Sequence, residues 1–97
     1  MILEAALIQV KPGMREIYEA TFREASPIIA SAAGYIRHEL HRCVETDGRY
    51  LLLVWWETIE DHTVGFRGSP AYQEWKRLLH PLYEPGALVE HYTPVLL

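Results

Sequence analysis

Five histidines and three tryptophans carry most of the chemistry available to this chain. Every Trp lies between Tyr50 and Lys76, in the stretch YLLLVWWETIEDHTVGFRGSPAYQEWK, where an apolar strand runs through Trp55-Trp56-Glu57-Thr58 into a helix start carrying His62. An imidazole titrates near about pH 6.5 and can take or give a proton at physiological pH. An indole offers a flat ring and one N–H donor. His62, next to Asp61, is therefore either a solvated helix residue or a proton acceptor, and Trp56 is either core or the lining of a pocket. His38-Glu39-Leu40-His41 suggests a metal site, but an offset of three on a strand sends the two histidines to opposite faces, and the helical HExxH spacing is absent. No metal is expected. His38 shares a face with Ile36 and Leu40, and His91 stands between Glu90 and Tyr92 on the last strand. Each is either a satisfied core histidine or a polar group in a cavity. There is no glycine-rich phosphate loop, nucleophile elbow or pair of carboxylates.

Those residues need a scaffold, and 97 residues allow one domain spanning 1–97, because two cores would leave each half too small to offset its ordering entropy. A hydrophobic fraction of 49% with 23% charged residues is that of a globular protein. The longest apolar run, Leu51 to Trp56, falls well short of the roughly 20 residues of a membrane helix. MILEAALIQV has no basic segment before its apolar part and carries Glu4 within it, so no signal peptide is read there and the cytoplasm is expected. Cys43 is the only cysteine, which rules out an internal disulfide. A formal charge of -4 with scattered basic residues gives no electrostatic basis for nucleic-acid binding.

The elements follow from periodicity. Leu3 to Val10 reads as a central strand buried on both faces, since Ala5, Ala6, Leu7 and Ile8 break the alternation. From Met14 the period becomes helical, through Tyr18, Phe22, Ala25 and Ile29 to Ala32, with a kink or tightened turn expected at Pro27 and an end at Gly34. Tyr35 to Val44 is a second strand, and Asp47-Gly48 marks a hairpin into Arg49 to Trp56. On that third strand Leu52, Val54 and Trp56 share one face and Leu51, Leu53 and Trp55 the other. Thr58 and Asp61 form a capping box with Asp in place of Glu, and Ser69-Pro70 begins a second helical piece that buries Tyr72, Trp75 and Leu79. Ala87 to Leu97 closes the chain as an edge strand. The order β-α-β-β-α-β is that of an α+β ferredoxin-like sandwich, a four-stranded antiparallel sheet with helices on one face. Its other face, with Leu51, Leu53 and Trp55, is an exposed apolar patch, so a sheet-to-sheet homodimer is expected.

This order, with Gly34-Tyr35, Val54-Trp55-Trp56-Glu57-Thr58, Phe66-Arg67-Gly68-Ser69-Pro70 and Glu90-His91-Tyr92, resembles the antibiotic biosynthesis monooxygenase domain of the dimeric α+β barrel superfamily across essentially the whole chain. The resemblance implies oxidation of a small aromatic phenol or quinol by dioxygen without metal, flavin or other cofactor. Such a reaction needs a base to form the phenolate, a dry cavity and a donor for developing negative charge. The resemblance places a pocket-lining Trp at Trp56, a polar ring at His62 and a basic side chain at Lys76, and it puts Leu52 where a better-understood relative has Asn. On this reading His62 is the base, the Trp56 N–H holds a substrate carbonyl and Lys76 steadies the anion. Leu52, Val54, Phe66, Tyr72, His38 and His91 are the candidate substrate contacts. The heme-degrading branch relies on an Asn from the first strand and on a Trp and a His from the second helical region; this chain offers Ala5 or Ala6, Phe66, and Trp75 or Lys76 there, so heme cleavage is not expected. The alternative is a non-catalytic or isomerase-type member of the fold that binds a small apolar molecule.

Overall fold

In the computed structural model, which describes residues 1–97, β1 (Ile2–Gln9), α1 (Arg15–Ala30), β2 (Tyr35–Arg42), β3 (Arg49–Trp56), α2 (Pro70–Leu79) and β4 (Leu88–Tyr92) follow one another. A π-helical segment, Asp61–Phe66, precedes α2, and a 3-10 turn, His80–Leu82, follows it. The strands lie in the order β2-β3-β1-β4, with every neighbouring pair antiparallel. This is the ferredoxin-like α+β sandwich, with α1 and α2 packed on one face of the sheet.

Side-chain parity decides what each face does. On β3, Tyr50, Leu52, Val54 and Trp56 are buried beneath the helices, while Leu51, Leu53 and Trp55 lie on the open face. On β1 the buried residues are Glu4, Ala6 and Ile8, and Leu7 is 41% exposed. The broken alternation of β1 thus belongs to a central strand whose second face has no cover within this chain. Tyr18, Ile29, Tyr50, Val54, Trp56 and Leu79 are the largest fully buried side chains, each worth about 1.5–3 kcal/mol of apolar burial.

Several boundaries differ from those read in the sequence. Helix α1 runs through Pro27 to Ala30. The Ser31 N–H returns to the Pro27 and Ile28 carbonyls, so the final turn is tightened and no break follows the proline. Strand β2 stops at Arg42, and β4 spans only Leu88–Tyr92, pairing with β1 alone. The β2–β3 hairpin turns at Gly48, whose φ of 75° suits glycine. No helix is long and apolar enough to cross a membrane.

The start of the π-helical segment is fixed from two sides. The Thr58 N–H donates to Asp61 Oδ2 at 3.1 Å, and the Asp61 N–H donates to Thr58 Oγ1 at 3.2 Å, a reciprocal capping box. Gly34, at φ 80°, packs so closely on this cap that a Cβ there would sit 2.1 Å from the Asp61 carboxyl. Only glycine serves both the turn and the contact. At the other end Ser69 caps α2, its Oγ accepting from the Tyr72 N–H at 3.2 Å with Pro70 in the first turn.

Candidate active site

Between the sheet and the helices lies a mostly apolar cavity. The β strands supply Glu4, Ala6, Ile8, Leu52 and Val89; α1 supplies Tyr18, Phe22 and Ile29; the second helical region supplies His62, Phe66, Arg67, Tyr72, Trp75 and Leu79, with His80 and Tyr83 closing one side. Its free interior is about 70 Å³. That is room for a few water-sized molecules and well below the ~300 Å³ at which ordinary ligand pockets begin.

The polar groups gather at one end. Glu4 is brought there by β1, whose register sets it opposite Val54 on β3 and His91 on β4. The Trp56 Nε1–H donates to Glu4 Oε1 at 3.0 Å, and His62 Nε2 lies 3.4 Å from the same oxygen. His62 Nδ1 meets His91 Nε2 at 2.8 Å, and the His62 ring stacks on Trp56 at an interplanar angle of 18°. The result is one continuous array, Trp56–Glu4–His62–His91, in which Glu4 and His62 are each almost wholly buried. The two nitrogens of the His62 ring point to different partners. The three side chains Glu4, His62 and His91 therefore form a line and share no common point at which to ligate an ion.

Burial acts on this line in opposite senses. It raises the Glu4 carboxyl above its ordinary range, against the pull of the Trp56 N–H and the Arg67 charge. It lowers His62 to about 3, helped by the nearby positive Arg67 and by His91. His91 is lowered by burial and then by Arg67. Arg67 makes no ion pair, so its guanidinium is the uncommitted cation on this wall.

The π-helical segment puts His62 in place. The Arg67 N–H reaches back to the His62 carbonyl at 3.1 Å, an i→i+5 bond, and the Gly68 N–H bonds the Val64 carbonyl at 3.0 Å. A Cβ on Gly68 would lie 2.6 Å from that Val64 carbonyl oxygen, so glycine permits the tight return that sets Arg67 at the cavity.

Of the residues singled out in the sequence, His62, Leu52, Phe66 and Tyr72 meet on the cavity wall. Trp56 and His91 stand directly behind His62, and the Trp56 N–H is already given to Glu4. Val54 is buried under the wall without forming part of it. His38 lies in a separate cluster with Tyr35 and Ser26, and Lys76 is on the exposed side of α2. Two residues that sequence reasoning did not select, Glu4 and Arg67, supply the site's carboxylate and its cation. The signal for Glu4 was a single acid at the parity of Ala6 and Ile8 in an otherwise apolar strand. Arg67 lies in a turn between helical pieces, where periodicity gives no direction.

Residues 1–78 match the family model described as antibiotic biosynthesis monooxygenase. The chain is 54% identical over 95 residues to the uncharacterized protein YczJ of Bacillus subtilis (strain 168), covering 98% of this chain and 100% of that one. The crystal structure of a Bordetella bronchiseptica protein assigned to the same family superposes with a TM-score of 0.94 at 39% identity, covering 98% and 97% of the two chains. SnoaB of Streptomyces nogalater, a cofactor-independent oxygenase, has a TM-score of 0.78 at 19% identity over 99% of this chain and 94% of its own, a likeness of fold.

Proposed function

The chain belongs to the antibiotic biosynthesis monooxygenase family, and from that premise we propose that it is a cofactor-independent monooxygenase oxidising a small aromatic phenol or quinol with dioxygen. The observation that carries this reading is the buried Glu4–His62 pair on the wall of an apolar cavity. Only a phenolate is electron-rich enough to pass an electron to dioxygen, so the protein's task is to remove one proton away from water. An imidazole–carboxylate pair can do that, while Phe66, Tyr72 and Trp75 offer ring edges and faces to a flat substrate. Arg67 supplies the charge that offsets a phenolate or peroxide anion. The small free interior disfavours a polycyclic substrate, and a single ring requires the wall to give way on binding.

Oxygen uptake with a panel of hydroquinones and anthrones tests the reading. Uptake is expected with one-ring hydroquinones and is expected to fall at least tenfold in His62→Ala; no uptake from any member of the panel would refute it. A second reading, an isomerase-type binder, is favoured by Glu4 itself, because a buried carboxylate can move a proton between carbon and oxygen without dioxygen. Product formation under anaerobic conditions separates the two.

The working unit we propose is a homodimer joined through the open sheet face. Leu7, Leu51 and Leu88 are exposed there, and the Arg37 guanidinium lies 3.8 Å over the Trp55 ring. Sedimentation at micromolar concentration should give a dimer, and Trp55→Asp should give a monomer; a wild-type monomer would contradict the assembly.

A further inference from the structure

We propose that Glu4, through its Oε2 oxygen, is the group that takes the proton from a phenolic ligand, and that Trp56, His62 and His91 are positioning residues that hold it ready. The proposal rests on the reading of the cavity as a phenol site and names its proton acceptor.

The geometry distinguishes Glu4 from His62 as the base. Of the His62 ring nitrogens, Nδ1 is hydrogen-bonded to His91 at 2.8 Å, and Nε2 is turned to the Glu4 carboxyl, 3.4 Å from Oε1. Neither has a lone pair free for a ligand. Glu4 differs, because its Oε1 accepts from the Trp56 N–H while Oε2 makes no hydrogen bond within the protein, on a residue that lines the cavity. The Trp56 N–H on one side of Oε1 and the His62 ring packed on the other hold the carboxylate, leaving its second oxygen for the ligand. His91 completes the arrangement. When its Nε2–H donates to His62 Nδ1, the His62 proton must sit on Nε2, which then faces Glu4 Oε1 at 3.4 Å as an N–H and not as a base. Each of the two histidines thus spends one proton in orienting the next group in the line.

The step itself is one proton transfer. The phenol O–H bond breaks, an O–H bond forms on Glu4 Oε2, and the electron pair stays on the phenolate oxygen. Charge is conserved within the cavity, and Arg67 stands near the anion throughout.

The test uses 4-nitrophenol, whose phenolate absorbs in the visible, bound anaerobically to the full chain at a pH below the phenol's own pKa. Wild type should show the phenolate band. Glu4→Gln, which keeps an oxygen for the Trp56 N–H, should bind the same phenol with the band reduced at least tenfold. His91→Phe should reduce the band to an intermediate level, while 4-nitroanisole, which has no proton to give, should bind wild type and both variants equally. Equal phenolate bands in wild type and Glu4→Gln, or no band in wild type, would overturn the assignment. The oxygenase reading fails separately. A phenolate band without oxygen uptake from any quinol would end that reading and leave Glu4 as the acceptor, whereas uptake undiminished in Glu4→Gln would overturn Glu4 and leave the oxygenase.

Discussion

His38 and His62 have much in common in this fold. Each packs against aromatic rings, each has polar partners at both ring nitrogens, and burial lowers the pKa of each. They differ in where their hydrogen-bond chains end. His38 Nδ1 meets the Tyr35 hydroxyl at 2.5 Å and its Nε2 meets Ser26 Oγ at 3.1 Å; Ser26 in turn donates to the Phe22 carbonyl at 3.0 Å. That chain closes on the backbone of α1 and ties the helix to β2. His62 bonds His91 through Nδ1 and sets Nε2 3.4 Å from a cavity-lining carboxylate whose Oε2 makes no hydrogen bond within the protein. His38 is half-buried and His62 almost wholly buried, and the groups that their ring nitrogens meet separate a helix-to-strand tie from a cavity wall.

The contrast can be broken at the residue both regions share. Trp56 packs edge-on to Tyr35 and stacks on His62, so Trp56→Ala should damage both, with a loss of about 3–5 kcal/mol measured by urea unfolding. Acid sharpens it next. The folded His62 titrates at about 3, below the roughly 6.5 of an unfolded chain. The unfolded state thus takes the proton first, and stability should fall as pH drops from about 6.5 toward 3. The fall should be shallower in His62→Gln, by thermal unfolding across that window. A smaller effect is expected at His38→Ala, about 1–2 kcal/mol from the two lost hydrogen bonds, with the 4-nitrophenol phenolate band unchanged. Smallest is Glu4→Gln, which should raise stability slightly near neutral pH, by urea unfolding, even as it cuts proton transfer at least tenfold. Its carboxyl is raised by burial, so ionising it in the folded protein costs free energy that an amide does not incur. A simultaneous gain in stability and loss of chemistry marks a site strained for function.

What could be read from the sequence was local. The parity of β3 separated Leu52, Val54 and Trp56 from Leu51, Leu53 and Trp55, because a strand's period is two and Asp47-Gly48 sets its register with β2. The Thr58–Asp61 cap and the Ser69-Pro70 restart were legible in the same way. Glu4 was not, because its partners Trp56 and His91 arrive through pairings at opposite ends of the chain. No window of residues contains that meeting. Lys76 shows the converse. A basic side chain was expected in the site at that spacing by analogy, but α2 turns Trp75 and Leu79 inward, and the adjacent position is carried round to solvent.

The π-helical segment has an evolutionary reading. An i→i+5 turn is what remains when one residue is inserted into an α-helix whose two ends are already anchored, here by the Asp61 cap and by Ser69. Deleting a single residue between Thr63 and Phe66 would let the turn rewind to the α form between the same two anchors, leaving His62 at its start and Arg67 at its end in place. The polar array and its cation thus tolerate a change of one codon's length at this point, and relatives that differ by such an indel can present the same groups.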